Sequence, residues 1–324
     1  MRQTRRIGII VMLLLQAIGP TAAFAAPEAA GCADIRPALV AAAAIMKDRY
    51  VVPATGRAAA ETLIADVKRG EGEHVCGGVE VQALRLTQML RSAAPDWHLR
   101  VAAGPPPPTS PAPDLASAST EPDDHGVTEV SRLAGGIGYL RISGFDDIHQ
   151  AEPRIAHAIA LLADVKGMII DVRGNRGGDG DTMELILRSF LPRQAPETMI
   201  KLDRTGKPVE HAPPEPRWDR FAPAVKVAVL VDRASASAAE ALAFGLREEV
   251  GATIVGNRSL GAAHEVDDAL GLPGGFALFV PEFRVAGRKS GKDWEQTGVV
   301  PDIEAEGPDA LLLAWEAVRR SKSS

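Results

Sequence analysis

The chain has 324 residues, of which 46% are hydrophobic, enough for one large domain or for a core domain beside a smaller one. Its formal net charge of -6 at pH 7 argues against nucleic acid as a partner, because binding to phosphates needs a basic surface. Only 4% of the residues are aromatic, so surfaces that stack on single bases are not expected either.

Residues 1–26 have the three parts of a signal peptide. A basic start at Arg5 and Arg6 is followed by an apolar stretch over residues 7–18 and a small-residue cleavage site at residues 23–25. The apolar stretch is too short for a membrane span, although an uncleaved anchor is the alternative. The sequence therefore predicts a periplasmic or secreted protein that has no stable membrane span once the signal is cleaved.

Two cysteines, Cys32 and Cys76, follow the predicted cleavage site. Outside the cytoplasm the environment is oxidising, so we expect them to form a disulfide, with two buried free thiols as the alternative. Neither cysteine has the spacing of a metal ligand, so the sequence predicts no metal site and no cofactor.

The rest of the chain divides into four parts by composition. Apolar residues at helical spacing predict a small helical domain over residues 27–103, where no strong strand signal appears. Residues 104–126 are rich in proline, which predicts an extended linker. Residues 127–310 form the predicted core, and residues 311–324 a C-terminal helix or tail.

Strands and helices alternate within the predicted core. Strands are predicted at residues 137–142, 167–171, 226–231, 252–255 and 276–280, and helices at residues 153–163, 183–191 and 238–247. This alternation is typical of an α/β fold with a parallel sheet.

A glycine-rich turn, Asp-Val-Arg-Gly-Asn-Arg-Gly-Gly at residues 171–178, follows one buried strand. Its glycines allow a close backbone approach, and amides at the start of the next helix would point at an anion, as an oxyanion hole requires. A phosphate-binding loop is one alternative, although the Lys-Ser/Thr ending of a P-loop is missing. A plain turn is another.

A serine-rich turn, Ser-Ala-Ser-Ala-Ala-Glu at residues 235–240, lies between a predicted strand and a predicted helix. A serine at this junction has its hydroxyl exposed beside helix N–H donors, which is where a nucleophile is useful. The alternative is that Ser235 or Ser237 only caps the helix. We interpret Glu240 as a residue that favours the positive end of that helix.

Four ordered segments resemble the C-terminal processing (tail-specific) serine peptidase family, which includes the tricorn protease core and the interphotoreceptor retinoid-binding protein. They are Arg-Gly-Asn-Arg-Gly-Gly at 173–178, Ser-Ala-Ser-Ala-Ala-Glu at 235–240, Thr-Ile-Val-Gly at 253–256 and Thr-Gly-Val-Val-Pro-Asp-Ile at 297–303. Residues 49–53 and 96–101 also resemble the retinoid-binding branch. The resemblance implies a ClpP/crotonase-like core of stacked ββα units, with no PDZ domain in the short proline-rich interval.

The resemblance also implies roles for single residues. Ser237 matches the nucleophile, but Ala262 stands where these peptidases have a lysine base. His98 resembles the histidine base of the Ser–His branch. His264 is the alternative base, unless it is a solvated loop residue. Glu295 aligns with an acidic residue that orients the catalytic set in tricorn-like members.

The implied activity is hydrolysis of exported polypeptides through an acyl-enzyme on Ser237. The backbone amides of Gly177 or Gly178, together with that of Ala238, would stabilise the oxyanion. An inactive family member that binds hydrophobic ligands or peptides is the alternative, because the lysine base is missing.

Overall fold

The computed structural model describes residues 31–106 and 124–319. The predicted signal peptide lies outside the described residues, and so does most of the predicted linker. Within the described ranges, none of the helices has the length and apolar character needed to cross a bilayer.

The N-terminal unit, residues 32–103, contains three helices and three short strands. Its elements are β1 (Cys32–Ala33), α1 (Arg36–Arg49), α2 (Pro53–Lys68), β2 (Val75–Cys76), α3 (Val79–Ala93) and β3 (Arg100–Ala103). Buried side chains such as Leu39, Leu63 and Leu86 form one apolar cluster between the helices. A disulfide joins Cys32 to Cys76 where β1 pairs with β2.

Strand β3 was not expected in a purely helical unit. It pairs antiparallel with a strand of the core, residues 276–279. The sequence Arg-Val-Ala-Ala has weak strand propensity, so this strand depends on its partner rather than on its own residues. The pairing ties the N-terminal unit to the core.

The core contains twelve strands and four helices among the described residues. The strands are β4 (Val127–Leu133), β5 (Ile137–Ile142), β6 (Gly167–Asp171), β7 (Met199–Leu202), β8 (Pro208–Val209), β9 (Lys226–Val231), β10 (Thr253–Gly256), β11 (His264–Val266), β12 (Leu270–Leu272), β13 (Phe276–Phe279), β14 (Pro281–Gly287) and β15 (Ile303–Glu304). The helices are α4 (Ile148–Leu161), α5 (Gly180–Arg188), α6 (Ala238–Val250) and α7 (Gly307–Arg319).

The main sheet has six strands in the order β15-β10-β9-β6-β5-β4. Its strands are parallel except for β4, which pairs antiparallel with β5. Every residue of β6 is buried, as expected for a central parallel strand covered on both faces. Apolar residues of α4, α5 and α6 cover one face, and α7 covers the other.

The predicted strands of this sheet match the structure closely, whereas two helices begin earlier than predicted. Helix α4 begins at Ile148 because the Asp147 side chain accepts a hydrogen bond from the amide of His149. Helix α5 begins at Gly180 because the Asp179 side chain accepts one from the amide of Thr182. Both helices thus begin directly after an aspartate cap.

Besides the β1-β2 pair, the described residues form two smaller sheets. Strands β11, β14, β7 and β8 form one of them, and β12, β13 and β3 form the other. The apolar cluster of the N-terminal unit extends onto Leu272, Phe276 and Leu278, which lie in β12 and β13. The unit also reaches β14 and β11, because the Val51 amide donates to the Pro281 carbonyl at 2.9 Å and Asp96 contacts His264 at 2.7 Å.

Candidate active site

Ser237 occupies the turn between β9 and α6 in a strained backbone conformation. Its φ is 54° and its ψ is -122°, outside the ordinary regions for a residue with a side chain. The turn is held in place because the Ser235 hydroxyl donates to the carbonyl of Val172 at 2.7 Å and the Ala236 amide donates to that of Asn175 at 3.0 Å. The serine-rich turn and the glycine-rich turn thus form one structure.

Glu240 lies behind this turn and is completely buried. Its carboxylate accepts hydrogen bonds from the amides of Ser237 at 2.9 Å, Gly261 at 2.7 Å and Ala262 at 2.8 Å. It also accepts one from the Ser259 hydroxyl at 2.5 Å. Burial raises the pKa of Glu240 despite these donors. The interpretation of Glu240 as only a first-turn helix residue was incomplete, because it also joins the nucleophile turn to the segment that begins β11.

His98 lies in the loop between α3 and β3, and its Nε2 is 3.1 Å from the Oγ of Ser237. Burial lowers the pKa of His98 to about 4, although the charge of Asp96 acts in the opposite direction. A neutral imidazole with its proton on Nδ1 accepts the Ser237 hydroxyl hydrogen at Nε2. Among the described residues, the buried Nδ1 atom has no hydrogen-bond partner. This geometry allows His98 to take a proton from Ser237.

The glycine turn and the start of α6 provide two amides without hydrogen bonds among the described residues, those of Gly178 and Ala238. The prediction for Gly177 was wrong, because its amide donates to the side chain of Asn175 at 2.7 Å. The lack of a side chain at Gly177 instead lets the glycine-rich turn approach Ser237 closely. Its φ is +108°, and a Cβ there would lie 2.7 Å from the Cβ of Ser237.

His264 is the first residue of β11, and its side chain is only 6% exposed, so its interpretation as a solvated loop residue was wrong. Its Nδ1 is 2.7 Å from an Asp96 oxygen. No hydrogen bond joins it to Ser237 in the described part of the chain, where His98 has that place. Burial opposes protonation of His264, but the hydrogen bond and the charge of Asp96 raise its pKa overall.

No hydrogen bond joins Glu295 to the His98 ring among the described residues, so a direct bond does not meet the expectation that Glu295 orients this histidine. Its Oε2 accepts from the amides of Ala263 at 2.6 Å and His264 at 3.1 Å. Burial and the nearby charge of Asp96 raise the pKa of Glu295. Glu295 therefore fixes the backbone at the start of β11.

Asp96 is a buried residue of the site. The sequence analysis included it only as the first residue of the segment 96–101. Its Oδ1 accepts from the amide of His98 at 2.9 Å, and its Oδ2 accepts from the hydroxyl of Tyr50 at 2.9 Å. Asp96, His264 and Glu295 present possible metal-ligand atoms within 4.8 Å of one another. The Nδ1 of His264 lies 2.7 Å from Asp96 and 3.9 Å from Glu295, so the three side chains form an ion-pair network.

A cavity of about 640 Å³ opens onto Ser237 and His98. Its apolar lining includes Phe145, Met183 and Trp294, and such a lining suits the burial of a substrate side chain. Ala262 also lines it, so the wall has a methyl group where the resembled peptidases have a lysine.

Residues 136–305 match the profile of Peptidase family S41, and the chain belongs to this family. The carboxy-terminal processing protease CtpB of Bacillus subtilis is 31% identical over 175 residues, which cover 53% of this chain and 35% of that protein. A carboxyl-terminal-processing protease of Synechocystis is 30% identical over 186 residues, which cover 55% and 40% respectively. The chain thus spans well under half the length of these curated relatives.

Solved structures show the same fold at low sequence identity. A putative peptidase from Parabacteroides merdae superposes with a TM-score of 0.61 at 19% identity, covering 90% of this chain and 98% of that one. The photosystem II D1 C-terminal processing protease superposes with a TM-score of 0.54 at 15% identity, covering 88% and 97%. The predicted α/β fold class and the resemblance to the processing peptidases are both confirmed.

Proposed function

We propose that this member of Peptidase family S41 is an active serine peptidase that cleaves polypeptides through an acyl-enzyme on Ser237, with His98 as the base. The observation that supports this most directly is the separation of 3.1 Å between the His98 Nε2 and the Ser237 Oγ. It lies within the hydrogen-bond reach that a general base needs.

In the proposed reaction, the Ser237 oxygen attacks the scissile carbonyl while its proton moves to the Nε2 of His98. The amides of Gly178 and Ala238 donate to the oxyanion, and the protonated His98 gives its proton to the leaving amine. Water, deprotonated by His98, then hydrolyses the ester, and the proton returns to Ser237. The charge of Asp96 favours the imidazolium form during each step, because it acts to raise the pKa of His98.

The substrate class and location are part of this proposal. Relatives named as carboxy-terminal processing proteases support cleavage of polypeptides near their C-termini. Export to the periplasm or beyond is supported by the Cys32–Cys76 disulfide, since such bonds persist in oxidising compartments.

Hydrolysis of unfolded β-casein tests the proposal. We expect Ser237→Ala to abolish the activity and His98→Ala to lower it by about 10²–10⁴-fold, the usual contribution of a general base. Ser92→Ala, on the exposed side of α3, serves as the matched control and should behave as the wild type. Equal rates for the wild type and Ser237→Ala would contradict the proposal and favour an inactive, ligand-binding protein.

A further inference from the structure

The two proposed catalytic residues are anchored on one short segment, Gly261–His264, by different carboxylates. On the Ser237 side, Glu240 accepts from the amide of Ser237 and from the amides of Gly261 and Ala262. On the His98 side, Asp96 accepts from the amide of His98 and contacts the ring of His264. The distance between nucleophile and base therefore depends on contacts made at both ends of this segment.

Within residues 31–106 and 124–319, no acidic side chain orients the His98 ring by a hydrogen bond. Its buried Nδ1 lacks a partner there, and its Nε2 faces Ser237. The ring is positioned mainly by the backbone turn at residues 96–98, in which the Asp96 carboxylate holds the amide of His98. The groups that hold the Asp96 carboxylate in place therefore also determine the position of His98.

Two side chains fix that carboxylate, and they come from both parts of the molecule. Tyr50 belongs to the N-terminal unit and donates its hydroxyl at 2.9 Å. His264 belongs to the core and lies 2.7 Å away, with side-chain exposures of 6% for His264 and 0% for Asp96. A buried carboxylate needs a charged or hydrogen-bonded partner, and no lysine or arginine of the described residues forms an ion pair with Asp96.

We propose that His264 is a positioning residue that acts through Asp96 to hold His98 against Ser237. In the resembled peptidases the segment that matches Gly261–His264 carries a lysine base. In this chain the same segment holds the histidine base in place. The proposal rests on the proposed function, because it assigns the means by which that base is placed. His264 itself exchanges no proton with Ser237.

The rate at which a fluorophosphonate probe labels Ser237 tests the proposal in the full-length protein. We expect His264→Asn and Asp96→Asn each to slow labelling by about 10²-fold, the effect of a misplacement near 1 Å. The labelled fraction should still reach the wild-type amplitude, because the molecules stay folded but react slowly. A merely structural loss would reduce that amplitude and leave the rate constant of the remaining molecules unchanged, contradicting the proposal.

A double variant and a matched control sharpen the test. Because Asp96 and His264 act as one unit, the double variant should be within about threefold of the slower single variant. His125→Asn removes a histidine from an exposed pair with Asp146, and we expect its labelling rate to stay within about twofold of the wild type. Asparagine also suits the positive φ of His125.

Four results would overturn the inference. One is a His264→Asn variant that labels within about threefold of the wild-type rate. Another is a double variant whose loss is the product of the two single losses. If neither charged-pair variant folds, Tyr50→Phe decides, since it removes the other donor to the Asp96 carboxylate without changing charge. His264 alone should then keep the labelling rate within about threefold of the wild type, and a loss of about 10²-fold would show that Tyr50 rather than His264 holds the carboxylate. A wild type that is not labelled at Ser237 refutes the proposed function, and the positioning role with it.

Discussion

At the scale of single residues, the pKa of His98 determines when the base can act. Burial lowers it to about 4, against the opposing charge of Asp96. The neutral, proton-accepting form therefore predominates at every pH well above 4. An ordinary histidine, with a pKa near 6.5, would lose half of its neutral form already at mildly acidic pH.

We accordingly expect the acidic limb of the kcat/KM profile to lie near pH 4, because protonation of His98 in the free enzyme abolishes its role as base. Hydrolysis of unfolded β-casein across the acidic range measures this, with circular dichroism at each pH to exclude unfolding. The sign for stability is the same. The pKa of His98 is about 4 in the folded protein, whereas an unfolded chain has the ordinary histidine pKa of about 6.5. His98 therefore costs the fold no stability above pH about 6.5, and the free energy of unfolding falls as the pH drops from there towards 4. A limb near pH 6.5 would contradict the burial of the base.

That Ser237 and His98 lie together could be predicted from the sequence, because each is carried by a short motif with recognisable neighbours. Asp96 and Glu240 could not be assigned their roles in this way. Asp96 contacts His264 across 168 residues, and Glu240 contacts the amides of Gly261 and Ala262 across 21 and 22 residues. Such contacts are fixed by the packing of the N-terminal unit and β11, which no local pattern encodes.

At the scale of elements, two strand-to-helix turns bring Ser237 together with the amides of Gly178 and Ala238, the proposed oxyanion donors. Continuous apolar runs made the central strands predictable, since a parallel strand covered on both faces needs them. The short strands β3 and β11 were missed, because their residues have no period of their own and depend on the strands they pair with. Among the strands that the sequence did not predict, these two are the ones on which His98 and His264 depend.

The glycine turn gives a prediction with a matched control. Gly177→Ala should lower kcat/KM by at least about 10²-fold, because its Cβ would lie 2.7 Å from the Cβ of Ser237 and displace the nucleophile. Gly174 lies in the same turn with a φ of +78°, but a Cβ added there would have no atom within 4 Å. Gly174→Ala should therefore cost only about 1 kcal/mol of stability and retain activity. Equal activity in the two variants would show that close approach at Gly177 is unimportant.

At the scale of the whole molecule, the N-terminal unit carries His98, the proposed base, and the core carries Ser237, the proposed nucleophile. Strand β3 pairs with β13, and Asp96 meets His264, so the unit must be folded and docked for the pair to form. The Cys32–Cys76 disulfide closes a span of 44 residues within this unit. It therefore stabilises the part of the molecule that carries His98.

Replacing both cysteines, Cys32→Ser with Cys76→Ser, should lower the free energy of unfolding by about 2–4 kcal/mol, because the open chain regains loop entropy when unfolded. Denaturant unfolding followed by circular dichroism measures the loss. A reductant should destabilise the wild type by a similar amount and leave the double variant unchanged. A wild type insensitive to reductant would contradict a structural disulfide.

The most direct test of the whole account is to map the residue that a fluorophosphonate modifies, by peptide mass spectrometry, in the wild type and in His98→Ala. The account predicts one adduct on Ser237 that forms at least about 10²-fold more slowly without the imidazole. An adduct on another serine, or an equal rate in the two proteins, would contradict the assignment of Ser237 as a nucleophile activated by His98.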